Sequence, residues 1–115
     1  MLDEQGQPIH QRYLLSLQDL DRSAYLEEII DAGVTTFKIE GRLKDADYVT
    51  NIVAYYREKL SSIQPFTHSL IHSFTPDPTK TFHRGATDYF LHGRTRPMAN
   101  WSTPKSTGEY IGEVL

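Results

Sequence analysis

The sequence contains no cysteine among its 115 residues. Disulfide bonds, zinc sites with thiolate ligands, cysteine nucleophiles and cysteine-held iron–sulfur clusters are therefore excluded within this chain. It also lacks an apolar run near the roughly 20 residues that a membrane-spanning helix needs, and its N-terminus has no charged segment followed by an apolar stretch. We therefore expect a cytoplasmic protein without a membrane partner.

Neither sign of charge is in large excess, since 12 Lys and Arg stand against 15 Asp and Glu. Hydrophobic residues make up 38% of the chain, which is typical of a folded soluble domain, and 115 residues suffice for one domain but not for two. The second half is locally basic: residues 83–105 contain Arg84, Arg94, Arg96 and Lys105 but only one acid. This half is therefore able to meet an anion, although a solvated loop surface explains the same charges.

The most informative stretch is 35–42, which reads Thr-Thr-Phe-Lys-Ile-Glu-Gly-Arg. Its alternating β-branched, aromatic and polar residues predict a strand that ends at Gly41. A period of two places Lys38 and Glu40 on one face, about 7 Å apart along the strand. Arg42 follows at the carboxyl end, where α/β folds gather their ligand-binding groups.

The elements around this stretch predict an α/β fold built from a βαβα unit. A short apolar run over 13–18 predicts the first strand, and a helix capped by Asp21 or Ser23 should end at Ala32. A second helix, with apolar residues three and four apart, should begin near Asp45. The two strands should be parallel and joined by a right-handed crossover. Two strands alone do not make a stable sheet, so we expect a piece of a larger protein or a sheet completed by another copy.

We divide the chain into the βαβα unit over 1–62, a proline-interrupted connector over 63–82 and an end segment over 83–115. Within the end segment, 84–92 predict a short helix that stops at a glycine. The glycine-punctuated tail over 103–115 predicts the first strand of a small β-domain.

Several of these stretches together resemble the collagenase-like peptidase family, number thirty-two among the peptidases of unknown catalytic type. The shared motifs are Leu-Ser-Leu-Gln-Asp-Leu at 15–20, Phe-Lys-Ile-Glu-Gly-Arg at 37–42, Arg-Gly-Ala-Thr at 84–87 and Gly-Glu-Tyr-Ile-Gly-Glu-Val at 108–114. The resemblance implies the last two βα units of a TIM-like barrel, followed by the start of a small β-domain. It also implies a longer parent protein, whose cysteine-rich segment, implicated in holding an iron–sulfur cluster, would lie just before residue 1.

The resemblance implies two different activities for the parent protein. Members are commonly labelled proteases, whereas the better-understood bacterial relatives look like RNA-modifying proteins that hydroxylate a tRNA or rRNA base, with prephenate and iron implicated. We favour RNA hydroxylation, because the chain has no cysteine, no His-Glu-x-x-His pair and no Gly-x-Ser-x-Gly elbow. A peptidase acting on collagen-like or other peptides is the alternative. A third hypothesis is a non-catalytic RNA-docking module that uses the basic residues of the second half.

Five residues are candidates for the site. Lys38 would neutralise a phosphate or carboxylate and Glu40 would orient it or act as a base, so we predict this pair to be catalytic. Arg42, Asp19 and Arg84 are predicted to bind substrate, Arg42 by clamping an anion. A structural ion pair is the alternative for the catalytic pair, and domain packing is the alternative for Arg84. We expect neither a metal nor a cofactor on this chain itself.

The chain in isolation is expected to self-associate. Two parallel strands and two amphipathic helices leave apolar surface and unpaired strand edges that a complete barrel would cover. A symmetric dimer is the expected form, because an isologous contact buries the same patch on both copies.

Overall fold

A computed structural model describes residues 1–10, 12–64, 73–93 and 98–114. In chain order, its regular elements are β1 (Asp19–Leu20), a 3-10 turn (Ser23–Tyr25), α1 (Leu26–Asp31), α2 (Ala46–Ile63), a second 3-10 turn (Pro78–Lys80) and β2 (Ala86–Thr87). The architecture mixes helix and strand and is compatible with the predicted α/β class. In the described ranges, no helix combines the length and the apolar character needed to cross a bilayer.

The two short strands form a parallel pair. The register places Asp19 opposite Ala86 and Leu20 opposite Thr87. The backbone N–H of Asp19 donates to the carbonyl of Gly85 at 2.9 Å, directly before β2. Gly85 has a φ of +84°, and a Cβ there would come within 3.2 Å of the Gln18 side chain. The approach of β2 to β1 therefore depends on glycine at this position.

This pairing corrects the predicted strands. The run over 13–18 contains a turn at 14–15, and the strand begins only at Asp19. Residues 35–42 were predicted to be its parallel partner, but they have no ladder partner in the described part of the chain. The edge of β1 pairs with β2 instead, because exposed backbone N–H and C=O groups are satisfied by whichever segment reaches them.

The end segment also differs from its prediction. The helix predicted over 84–92 is absent: β2 is followed by turns in which Tyr89 and Phe90 have φ values of +41° and +60°. These values lie in the left-handed region, which cannot continue a right-handed helix. The strand predicted over 103–115 is not formed in 103–114.

The two predicted helices are present. The carboxylate of Asp45 accepts the backbone N–H of Tyr48 at 2.8 Å and caps α2, which begins at Ala46, close to the predicted start. The predicted cap of α1 is wrong: the side chain of Asp21 accepts the N–H of Ser23 at 2.8 Å ahead of the 3-10 turn, and α1 begins three residues later, after Tyr25, which makes no side-chain cap. The last helical residue of α1 is Asp31, Ala32 is its C-cap, and Gly33 follows with a φ of +98°. The end of the helix therefore lies where the glycine predicts it.

The core is small and lies between α1 and α2. Leu26 is 1% exposed, and Ile52 and Ala54 of α2 are also buried. Buried Asn51 extends this contact, because its side chain both donates to the carbonyl and accepts from the N–H of Asp77, at 2.6 and 2.9 Å. Large apolar side chains remain outside the core, with Leu15 81% exposed. Two hydrogen bonds of Asn51 therefore join α2 to the residue before the second 3-10 turn.

His92 links the turns after β2 to α1. Its Nε2 lies 3.0 Å from Oε2 of Glu28 and its Nδ1 lies 3.7 Å from Oδ2 of Asp88, while its ring packs edge-on against Tyr25. The hydrogen bond to Glu28 is the main cause that raises the pKa of His92 above its ordinary value of 6.5. The link is therefore strongest when the imidazole is protonated.

Replacing Glu28 with glutamine is expected to lower the pKa of His92 toward 6.5. Because the folded-state pKa is the raised one, the pair stabilises the fold fully below the unfolded-state value, and this contribution is lost as the pH rises through the folded-state pKa. NMR titration of the His92 ring protons measures the shift. Glu27→Gln, at an exposed neighbouring position, is the control and should leave the titration unchanged. An equal pKa in the Glu28 variant and the parent sequence would contradict the assignment.

Candidate functional site

The candidate site is centred on Asp19, the first residue of β1. Its Oδ2 accepts the backbone N–H of Arg84 at 2.9 Å, and its Oδ1 lies 3.4 Å from Nζ of Lys44. The ion pair is mostly buried, with the Lys44 side chain 16% and the Asp19 side chain 23% exposed. One carboxylate therefore joins β1, the turn before α2 and the segment before β2.

An aromatic ring completes this cluster. Nζ of Lys44 lies 3.6 Å from the centroid of the Phe82 ring and 4.7 Å from that of Tyr48. The guanidinium of Arg84 also lies over Phe82, at 5.3 Å. The Phe82 ring therefore attracts both cations, and Lys44 is held by Asp19 as well.

Arg84 retains an unused donor. Within the described ranges, its Nε is buried and has no hydrogen-bond partner. A buried donor without an acceptor is costly, and a bound phosphate or carboxylate oxygen would relieve that cost. The substrate-binding role of Arg84 stays a prediction.

Lys38 and Glu40 form an ion pair on the rim of an adjoining cleft. Their Nζ and Oε1 atoms are 2.8 Å apart, and the side chains are 82% and 67% exposed. The hydrogen bond from Lys38 to Glu40 raises the pKa of the lysine. Lys44 and Asp19 line the same cleft, which has a volume of about 510 Å³. An exposed pair contributes little to stability, and the catalytic role of Lys38 and Glu40 stays a prediction.

Sequence reasoning identified part of this arrangement. Arg42 lies on the exposed turn closed by the hydrogen bond from the N–H of Lys44 to the carbonyl of Gly41, beside the cleft rather than in it. Lys44 and Phe82 were missed, although each lies two residues from a predicted site residue. The available signals were the charge of Lys44 near Arg42 and the aromatic ring of Phe82 near Arg84.

The structure describes only part of the basic surface that the composition of the second half indicated. Lys105 is exposed, and Arg94 and Arg96 of the proposed docking surface lie outside the described residues. In the described ranges, no group of three or more His, Asp or Glu residues is arranged to hold a metal ion. With no cysteine in the chain, its residues do not fit an iron–sulfur cluster.

Comparison with known proteins places these residues in context. The sequence model of peptidase family U32 matches residues 2–100. The 23S rRNA 5-hydroxycytidine C2501 synthase of Escherichia coli is 43% identical over 98% of this chain and 19% of its own length. A collagenase of Porphyromonas gingivalis is 27% identical over 93% of this chain and 31% of its own length. The tRNA hydroxylation protein P of Escherichia coli is 32% identical over 75% of this chain and 19% of its own length.

The chain spans about a fifth to a third of the length of these relatives. No solved structure matches it with significance.

Proposed function

The chain belongs to peptidase family U32, and we propose that it forms part of an enzyme that hydroxylates a base of ribosomal or transfer RNA. The observation that carries the proposal is the 43% identity to a 23S rRNA 5-hydroxycytidine synthase across nearly the whole chain. The cluster around Asp19 supports it, because it combines cations for phosphates with aromatic faces for bases.

In the parent protein, we propose that residues 1–62 are the last two βα units of a TIM-like barrel. The order of β1, α1 and α2 supports this proposal. The stretch at 35–42, which has no ladder partner among the described residues, would lie along the barrel wall of the parent protein, and its carboxyl end would place Lys38, Glu40 and Arg42 at the barrel mouth. The connector over 63–82 and the end segment over 83–115 remain predictions.

The proposed reaction needs an oxidant in addition to the side chains of this protein. Hydroxylating a pyrimidine at C5 replaces a C–H bond by C–OH, a two-electron oxidation, and no side chain here supplies the oxidant. The proposed contributions of this chain are therefore binding and proton transfer. Glu40 would act as a base in the adjoining cleft, while Lys38 and Arg84 would hold phosphate or carboxylate oxygens, and an oxygen donor bound elsewhere in the parent protein would supply the hydroxyl oxygen and take up the two electrons.

The cofactors of the parent protein also stay predictions. An iron–sulfur cluster would need ligands from outside this chain. The carboxylates of prephenate are compatible with the exposed cations Lys38 and Arg42.

A deletion strain tests the proposed function. RNA from a strain lacking the full-length gene is digested to nucleosides and compared with wild-type RNA by mass spectrometry. We expect one hydroxylated pyrimidine to disappear and to return when the full-length gene is restored. An unchanged nucleoside profile would contradict RNA hydroxylation.

The peptidase alternative is supported by the similarity to a protein named collagenase. Against it, no serine or threonine hydroxyl of the described residues is hydrogen-bonded to a histidine ring, as a serine-type nucleophile would require. The purified full-length protein should leave gelatin and collagen peptides intact. Cleavage that copurifies with the protein would establish the alternative.

The docking hypothesis and the self-association of the chain remain predictions. A docking module binds RNA with an affinity that falls as salt rises, without changing any nucleoside. For self-association, exposed Leu15, Leu17 and Leu20 provide an apolar patch near β1 that a second copy or the rest of a barrel would cover. A cytoplasmic location, where its RNA substrates are made, belongs to the same proposal.

A further inference from the structure

A second cavity shares Asp19, Tyr48 and Tyr56 with the cleft described above. Its volume is about 440 Å³, within the range of small-molecule sites. Its aromatic lining consists of Tyr48, Tyr55, Tyr56 and Phe82. A cavity walled by several rings suits a flat aromatic ligand.

Asp21 also lines this cavity and is held in a fixed orientation. Its Oδ1 accepts two hydrogen bonds, from the hydroxyl of Tyr56 at 2.7 Å and from the N–H of Ser23 at 2.8 Å. The Tyr56 hydroxyl is itself fixed by the backbone N–H of Arg22 at 3.0 Å. Within the described part of the chain, both bonds to Asp21 use the same oxygen, so Oδ2 is an open acceptor.

The charges of the cavity limit what it accepts. The acidic and basic side chains of its lining are Asp19, Asp21, Asp77 and His83. Asp19 is paired with Lys44, whereas Asp21 has no ion-pair partner among the described residues. Burial, followed by the charges of Asp19 and Asp21, raises the pKa of Tyr48, which keeps its hydroxyl protonated and able to donate. Phosphate and carboxylate ligands are repelled by such a lining, while a neutral ring that donates a hydrogen bond is attracted.

We propose that this cavity takes a pyrimidine base flipped out of the RNA strand, and that Asp21 selects cytosine by accepting a hydrogen bond from its exocyclic amino group. Uracil carries a carbonyl oxygen at that position, which would face the carboxylate with lone pairs on both sides. Stacking between aromatic side chains together with a polar contact to the base edge is how flipped bases are held. This proposal rests on the proposed function and adds the residue that distinguishes the two pyrimidines.

The Asp21→Asn variant tests the selection. The two donors at Oδ1 oblige the amide oxygen to stay there, so the NH₂ group takes the place of Oδ2 and presents a donor. The kcat/KM ratio for two RNA substrates that differ only in cytosine or uracil at the target position is measured with the full-length protein. We expect the preference for cytosine to fall by about tenfold or more, the scale of one hydrogen bond.

The ratio of kcat/KM for the cytosine substrate to that for the uracil substrate is insensitive to partial unfolding, because loss of folded protein lowers both values equally. Asp31→Asn removes one exposed charge at the end of α1 and is the matched control, with an unchanged ratio expected. An unchanged ratio in the Asp21 variant would overturn the proposal.

A cross-linking experiment locates the base without requiring turnover or a variant. A short oligouridine with one central 5-iodocytidine is irradiated with the full-length protein, and the adduct is mapped by mass spectrometry. We expect the adduct on Tyr48, Tyr55, Tyr56 or Phe82, and an adduct elsewhere, or none, would overturn the proposal. RNA hydroxylation with an adduct elsewhere refutes this cavity alone, whereas an adduct here without hydroxylation refutes the proposed function alone.

Discussion

With Glu40 as the proposed base, its replacement by glutamine is expected to lower the kcat of the proposed RNA hydroxylation by about 10²-fold or more, the usual contribution of a general base. Glutamine keeps the shape of the side chain but cannot accept a proton. The thermal stability should not change, because Glu40 is 67% exposed and its ion pair with Lys38 is open to solvent. Steady-state kinetics and a melting curve of the full-length protein measure the two effects separately.

The chain offers a matched control for this prediction. Lys80 and Glu109 form another exposed pair, with side chains 52% and 58% exposed. Glu109→Gln removes the same charge from the same kind of contact and should leave kcat unchanged. If Glu40→Gln raised KM without lowering kcat, the Lys38–Glu40 pair would bind substrate without taking part in proton transfer.

Replacing Asp19 with alanine is expected to lower the free energy of unfolding by about 2–3 kcal/mol, somewhat below the cost of breaking a fully buried pair. The change leaves Lys44, whose side chain is only 16% exposed, without its carboxylate. It also removes the acceptor of the Arg84 backbone N–H. Urea unfolding of the full-length protein, combined with hydrogen exchange of the α2 amides, measures the loss.

A second substitution separates the unpaired charge from the lost hydrogen bond. In the Asp19→Ala, Lys44→Met double variant no buried ammonium remains, so part of the stability should return. Asp31→Ala, at an exposed position, is the control. If Asp19→Ala left the stability unchanged, the attraction within the pair would only balance the cost of removing its charges from water.

The candidate site was predictable where its residues are close in sequence. The alternation over 35–42 indicated that Lys38 and Glu40 share a face, and their side chains do form an ion pair. Asp19 was placed on the same rim from its position after an apolar run. Asp21 was recognised only as a helix cap, because the Tyr56 hydroxyl that orients it lies 35 residues away.

The sequence by itself determined the start of α2, the end of α1 and the family. The start of α2 depends on Asp45, which accepts the N–H of Tyr48 three residues later, and the end of α1 depends on Gly33. Because these features are local, they form wherever the rest of the chain lies. Tertiary structure alone decided that β1 pairs with β2 and that Lys44 and Arg84 meet at Asp19. Those contacts join residues 25 and 65 positions apart. No periodicity encodes such a contact, because it forms only when separate segments compete for the same strand edge and the same carboxylate.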